Sequence, residues 1–241
     1  MELEPSHLGG HIRRQYDEDL EAIRTKVLQM GGLVEELIRE AMQALRDGDG
    51  ELGEKVVSDD FRVNRMEVEI DEECQNIIAL RQPAAGDLRM VIAIIKTITD
   101  LERIGDEAEK IGRMAIRLAG SGGSKRHMSG VQHMGTQVLK MVQDSLDAFA
   151  RLDVESALRV VRADESVDHE YDAILRTLMT YMMEDPRQIS NVMDMVWCVR
   201  ALERIGDHAK NICEYIIFLV KGKDVRHITI EQMERHAHAV D

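Results

Sequence analysis

Leu101-Glu102-Arg103-Ile104-Gly105-Asp106 returns letter for letter as Leu202-Glu203-Arg204-Ile205-Gly206-Asp207, 101 positions later. Upstream, Asp49, Glu51, Val56, Val57, Asp60 and Val63 fall on Asp153, Glu155, Val160, Val161, Asp164 and Val167 at an offset of 104. The second copy is therefore three residues shorter, around the connection that holds Pro83 in one half and Pro186 in the other. An identical hexapeptide in equivalent places, with a weaker match around it, marks an internal duplication.

Each half reads as three long helices. They run over 15–47, 51–81 and 87–119, then 126–151, 154–183 and 188–220. Apolar residues recur at helical spacing, as in Val91, Ile94, Ile95, Ile98, Leu101, Ala108 and Ile111. Gly48 with Asp49, and Asp153 in the second half, supply a stop and an N-cap between the first and second helices. Gly120-Ser121-Gly122-Gly123-Ser124 reads as a flexible linker. Short connections make neighbouring helices antiparallel. The expected fold is all-α: two tandem three-helix bundles, 15–119 and 126–220, with polar tails at 1–14 and 221–241. Helices of ~30 residues at ~1.5 Å per residue make such a molecule elongated.

Composition agrees. Hydrophobic residues are 44% of the 241 and aromatics only 3%, with 15 Met, a mix that suits helix packing better than a β-sandwich. The net charge of −14 opposes nucleic-acid backbones and anionic membranes. It fits metal cations, basic partner surfaces or plain solubility. Met1 to Gly10 has no apolar run, and no stretch reaches the ~18 apolar residues of a membrane span. Cys74, Cys198 and Cys213 form no CxxC pair and suit a reducing compartment. The expected location is the cytoplasm.

Glu102 and Asp106 share a helix face, as do Glu203 and Asp207, although like charges at that spacing repel by a few tenths of a kcal/mol. The preceding helix carries the same spacing at Asp164 and Asp168, with Asp60 and Asn64 in the matching places. Counted from Asp185, Asp164 lies 21 residues before and Asp207 lies 22 after; Asp168 and Glu203 lie 17 before and 18 after. Antiparallel packing sets these pairs level, and in the first half it sets Asp60 by Asp106 and Asn64 by Glu102. Four oxygen-bearing side chains then converge in each bundle. Packed carboxylates must protonate, separate or take a cation, and oxygen ligands suit hard ions such as Mg, Mn, Ca or Fe. Gly105 and Gly206, each costing ~1 kcal/mol in a helix, would let a neighbouring backbone or a metal cluster come close. Paired acids on a helix also describe an ordinary solvated face, and that reading stays open.

These duplicated Glu-x-x-x-Asp motifs, with Asp-x-x-Val-Asn/Asp at Asp60–Asn64 and Asp164–Asp168, resemble the PhoU family over about residues 15–220. The resemblance implies two three-helix bundles that bind metal clusters, iron or zinc among them. It implies Glu102, Asp106, Glu203 and Asp207 as ligands, partnered by Asp60, Asn64, Asp164 and Asp168. Manganese or magnesium would equally suit the oxygen set. It also implies an adaptor that represses the phosphate-starvation response and modulates phosphate uptake. Such an adaptor links the ATPase of a phosphate ABC transporter to a membrane sensor histidine kinase. Asn64 departs from the acidic pattern and takes one negative charge from the first site.

No glycine-rich phosphate loop and no nucleophile elbow occurs, so the expectation is not an enzyme. A helical di-metal enzyme and a purely structural spacer are the alternatives. No Glu-x-x-His falls on the six helices, which counts against a ferritin-like oxidase; Glu4-Pro-Ser-His7 is discounted as part of a disordered start. His227, His236 and His238 read as part of a frayed tail. Trp197 and Tyr171 read as core or partner-facing, the Met residues as core filler. A homodimer is expected because long helices with Met-rich faces self-associate.

Overall fold

The computed structural model describes residues 5–120 and 128–238; for 5–17 and Gly120 only the backbone is described. The first half contains α1 (Pro5–Asp47), α2 (Gly50–Asp59), α3 (Phe61–Arg81) and α4 (Ala85–Gly120). The second contains α5 (Met128–Arg151), α6 (Val154–Glu184), a 3-10 turn at Pro186–Gln188, α7 (Ile189–Lys221) and α8 (Ile230–His238). No strand occurs among the described residues. The expected linker lies outside them from Ser121 onward, as does Glu4.

The turn chemistry repeats with the sequence. Gly48 takes φ +69°, and the Asp49 N–H donates to the Ala44 carbonyl at 3.0 Å. The Asp49 carboxylate then accepts from the Leu52 N–H at 3.0 Å and caps α2. In the second half the Asp153 N–H donates to the Ala148 carbonyl, and its carboxylate caps α6 on the Ser156 N–H at 3.1 Å. Leu152, the equivalent of Gly48, is driven to φ +52°, a conformation that glycine adopts freely and leucine resists.

The expected helix 51–81 is interrupted at Asp60, where α2 passes into α3. The Asp60 backbone stays helical (φ −57°, ψ −34°), and its carbonyl accepts from both Val63 and Asn64. Its equivalent Asp164 lies within the unbroken α6.

The bundles join side by side. One apolar core runs through both halves, from Val27, Val34 and Ile38 of α1 and Ile94, Ile98 and Ile104 of α4 to Val138 of α5 and Ile205, Ile212 and Ile216 of α7. The longest helix contact is α4 against α7, across the halves. At the α1/α5 crossing the contacts are reciprocal. A Cβ on Gly31 would meet Leu146 at 2.6 Å, and one on Gly135 would meet Met42 at 2.4 Å. These are equivalent pairs at the offset of 104, so the halves are related by a local two-fold.

The C-terminal stretch departs from the expected frayed tail. Thr229 and Gln232 form a reciprocal cap: the Gln232 N–H donates to Thr229 Oγ1 at 3.3 Å, and the Thr229 N–H to Gln232 Oε1 at 3.1 Å. The helix so started buries Met233 and Ala237, and Glu234 pairs with Arg162 of α6 at 2.5 Å. Its histidines do not gather: His238 stands 3.3 Å from Glu155, whereas His227 lines a groove beside α7.

Candidate functional site

Apolar neighbours fix the acidic residues by helical period. On α6, Val160, Val161 and Val167 are core residues, and Asp164 falls in the same stripe with 1% of its surface exposed. Val56 and Val63 do the same for Asp60, 6% exposed. Burying a carboxylate this far is costly without a partner or a cation.

In the first half Asp60 faces α4 at Gly105. A Cβ there would lie 2.9 Å from Asp60 Oδ1, so only glycine leaves the carboxylate its place. The Asn64 amide donates to Asp60 Oδ2 at 3.1 Å, while Asp60 Oδ1 and Asn64 Oδ1 are buried without a hydrogen-bond partner. Burial, then the charges of Asp106 and Glu109, push the Asp60 carboxyl above its ordinary pKa. Glu102 is raised by burial and by Asp106 and Glu67.

The second half repeats the arrangement with different counter-ions. Asp164 Oδ2 accepts from the Lys210 ammonium at 2.7 Å, and Asp164 Oδ1 is unpartnered. Arg200 donates to Glu203 Oε1 at 2.6 Å, leaving Glu203 Oε2 buried and unpartnered. Asp207 is raised by burial and by Asp164, Asp168 by burial, Asp164 and Asp207, and Glu203 by burial and Asp207. At Gly206 the approach is looser, 3.6 Å from a Cβ to Asp164 Oδ1.

All eight residues named from the sequence thus stand on facing stretches of adjacent helices. They do not close to chelating distance: among the described residues no three carboxylates, imidazoles or thiolates converge tightly enough to hold an ion as they stand. Asn64 and Lys210 occupy hydrogen-bonding places on Asp60 and Asp164. The donor set still fits a hard cation, since each cluster offers buried oxygens that nothing satisfies.

Sequence reasoning missed Glu67, which is raised by burial, borders Thr99 and couples to Glu102 and Asp106. Its signal was present, one turn beyond Asn64 on the face of Asp60. It restores the charge that Asn64 removes, so the first cluster has four carboxylates, not three. Lys210 was missed too, although it lies seven residues after Glu203 on the same face.

Between the halves a polar seam crosses α4 and α7. Asp100, buried, takes His208 Nδ1 at 2.6 Å and the Asn211 amide at 3.1 Å; buried Glu107 pairs with Arg204 at 2.8 Å. At the far end of the α6/α7 hairpin, Met179, Met183, Ile189, Met193 and Trp197 are exposed, Met183 by 81%. Met179, Met183 and Met193 are thus surface residues, not the expected core filler, whereas Met195 is core.

Fold and clusters together define a duplicated helical-bundle protein with one oxygen-rich site per repeat, built round a single buried carboxylate. The PhoU domain model matches residues 27–115 and again 131–216. The "phosphate-specific transport system accessory protein PhoU homolog" of Pseudomonas aeruginosa is 54% identical over 227 residues, 94% of each chain. The phosphate-specific transport system accessory protein PhoU of Escherichia coli is 45% identical over 236 residues, 97% of this chain and 96% of its own. The crystal structure of PhoU from P. aeruginosa superposes with a TM-score of 0.84 at 53% identity, covering 86% of this chain and all of that one. That of the phosphate transport system regulatory protein PhoU from Streptococcus pneumoniae gives 0.81 at 30% identity, covering 87% of this chain and 99% of its own. The chain belongs to the PhoU family.

Proposed function

We propose that this protein is an accessory factor of phosphate transport that represses the phosphate-starvation response when phosphate is plentiful. It works in the cytoplasm as a metal-bound adaptor, not as an enzyme. Its relatives' names place them in the phosphate transport system. The observation that carries the metal reading is the set of unpartnered buried oxygens: Asp60 Oδ1 and Asn64 Oδ1 in one repeat, Asp164 Oδ1 and Glu203 Oε2 in the other. Asp60, Asn64, Glu102 and Asp106 would hold one ion or cluster, and Asp164, Asp168, Glu203 and Asp207 the second. Iron, zinc, manganese or magnesium would supply positive charge there. The all-oxygen set favours the harder ions.

The proposed partners are the ATPase of a phosphate ABC transporter and a membrane sensor histidine kinase. No helix among the described residues is long and apolar enough to cross a membrane. Exposed methionines beside a tryptophan make an adaptable docking surface, and we place partner contact at the α6/α7 tip. A homodimer belongs to the same reading and is measured by sedimentation.

Deleting the gene is expected to switch starvation genes on in phosphate-rich medium. The Glu203→Ala/Asp207→Ala variant is expected to lose its second complement of metal by elemental analysis and to fail to restore repression. Unchanged expression on deletion would sink the regulatory role; full metal content in the folded variant would sink the ligand assignment. A pull-down from phosphate-replete membranes should recover the ATPase or the kinase, and Trp197→Ala should weaken that capture.

A further inference from the structure

Aligning the two repeats on the acidic motif exposes a charge reversal one turn beyond it. Lys210 and Glu214 of α7 stand where α4 has Glu109 and Arg113. The reversal changes what touches the buried carboxylate. Lys210 reaches across to α6 and bonds Asp164 at 2.7 Å. Burial would weaken the ammonium's hold on its proton, but the hydrogen bond and charge of Asp164, helped by Glu214 and Asp207, raise its pKa instead. In the first repeat Glu109 holds Arg113 at 2.5 Å along its own helix, and Arg113 stays half exposed. Asp60 accepts a hydrogen bond from the neutral Asn64 amide, and Arg113 acts on it through charge alone, without an ion pair.

A second exchange has the same sense. Thr99 and Glu67 in the first repeat are replaced by Arg200 and Tyr171 in the second. Arg200 lies over the Tyr171 ring, 5.9 Å from its centroid, and bonds Glu203 at 2.6 Å. Two of the four carboxylates of the second cluster therefore carry a basic side chain. Among the described residues, Asp60, Glu102 and Asp106 form no ion pair.

Resting on the metal reading above, we infer that the two clusters fill in order. The first takes a divalent cation directly. The second takes one only against Lys210, its resident counter-ion, so it binds more weakly and responds at higher metal concentration. An ammonium on Asp164 Oδ2 and a divalent ion on Oδ1 compete for the charge of one carboxylate, and weakening the Lys210–Asp164 interaction subtracts from the binding free energy. Lys210 is thus a residue that sets affinity, without itself being a ligand.

The test is titration of the full-length, chelator-stripped protein with manganese(II), with free ion followed by electron paramagnetic resonance. Two classes of site are expected, and Glu102→Gln/Asp106→Asn should abolish the tighter one. Lys210→Gln should tighten the weaker class at least tenfold, Lys210→Arg should leave it weak, and Glu109→Lys should weaken the tighter class. Circular dichroism verifies that each variant is folded, and Glu109→Lys tests the idea even if Lys210→Gln unfolds. Two equal classes, or a weaker class indifferent to Lys210→Gln, would overturn the order of filling while leaving metal binding intact. No manganese bound by either the native chain or Lys210→Gln would overturn the metal reading and this inference with it.

Discussion

The two acidic clusters start from the same hexapeptide and end in different electrostatic states. In the first, Asp60 is wedged against Gly105 and shares a hydrogen bond with a neutral amide. In the second, Asp164 is buried deeper, has more room at Gly206 and is tied to an ammonium. Duplication copies the helix, the spacing and the burial. Divergence then acts on the residues one turn away, which touch the same oxygens without belonging to the motif. A motif specifies where a carboxylate sits; its neighbours specify what charge it meets.

The largest effect should come from removing the resident cation. Lys210→Ala leaves Asp164 buried and unpaired, and we expect a loss of ~2 kcal/mol by urea denaturation at pH 7, below the 3–5 of a fully buried pair because Lys210 is partly exposed. Glu109→Ala, the equivalent change, should stay within ~0.5 kcal/mol because Glu109 bonds only Arg113 on its own helix. Equal losses from the two would break the asymmetry.

Next come the glycines. Gly206→Ala meets only ordinary contacts and removes a helix-interior glycine, so it should stabilise by ~0.5–1 kcal/mol. Gly105→Ala puts a methyl 2.9 Å from Asp60 Oδ1 and should destabilise by ~1 kcal/mol net, because the buried carboxylate must shift. Opposite signs in paired melts are the expected result; a shared sign would deny that the first cluster is the tighter approach.

The pH response sharpens the comparison further. Burial pushes Glu214 up to about 7, against an ordinary value near 4.5. A raised carboxylate favours the folded state while protonated, so this contribution is present below its unfolded pKa and lost as pH rises to about 7. Glu214→Gln should therefore raise the melting temperature by roughly 2–4 °C at pH 8 and leave it little changed at pH 4. A gain that did not depend on pH would deny the buried charge.

The smallest effect belongs to Leu152. Leu152→Gly relieves the left-handed strain that Gly48 avoids and should gain up to ~0.5 kcal/mol, offset by lost side-chain packing. Gly48→Ala should lose ~1 kcal/mol, giving the opposite shift in a thermal melt.

The helices and the level pairing of acids were legible because both follow from period and from counting residues to a turn. Asp60, Asn64, Asp164 and Asp168 could be set against α4 and α7 that way. Glu67 and the Thr229–Gln232 cap were legible too, being local patterns at spacings of three. Lys210 stood on the right face, but nothing in one helix says that its ammonium reaches across to α6.

By itself the sequence determined the duplication, the helical register and the facing of two acidic pairs across each hairpin, since each is a property of one helix or of two joined by a short turn; that one carboxylate per hairpin, Asp60 or Asp164, is buried came from the packing. Only the tertiary structure decided that Lys210 neutralises Asp164 and that Met233 folds the tail back onto the bundle. It alone decided that Asp100 of one half holds His208 of the other. The last pair lies 108 residues apart, and its meeting depends on how two amphipathic bundles settle against one another. Hydrophobic burial drives that packing without direction, so its polar seam is set by shape and not by any spacing along the chain.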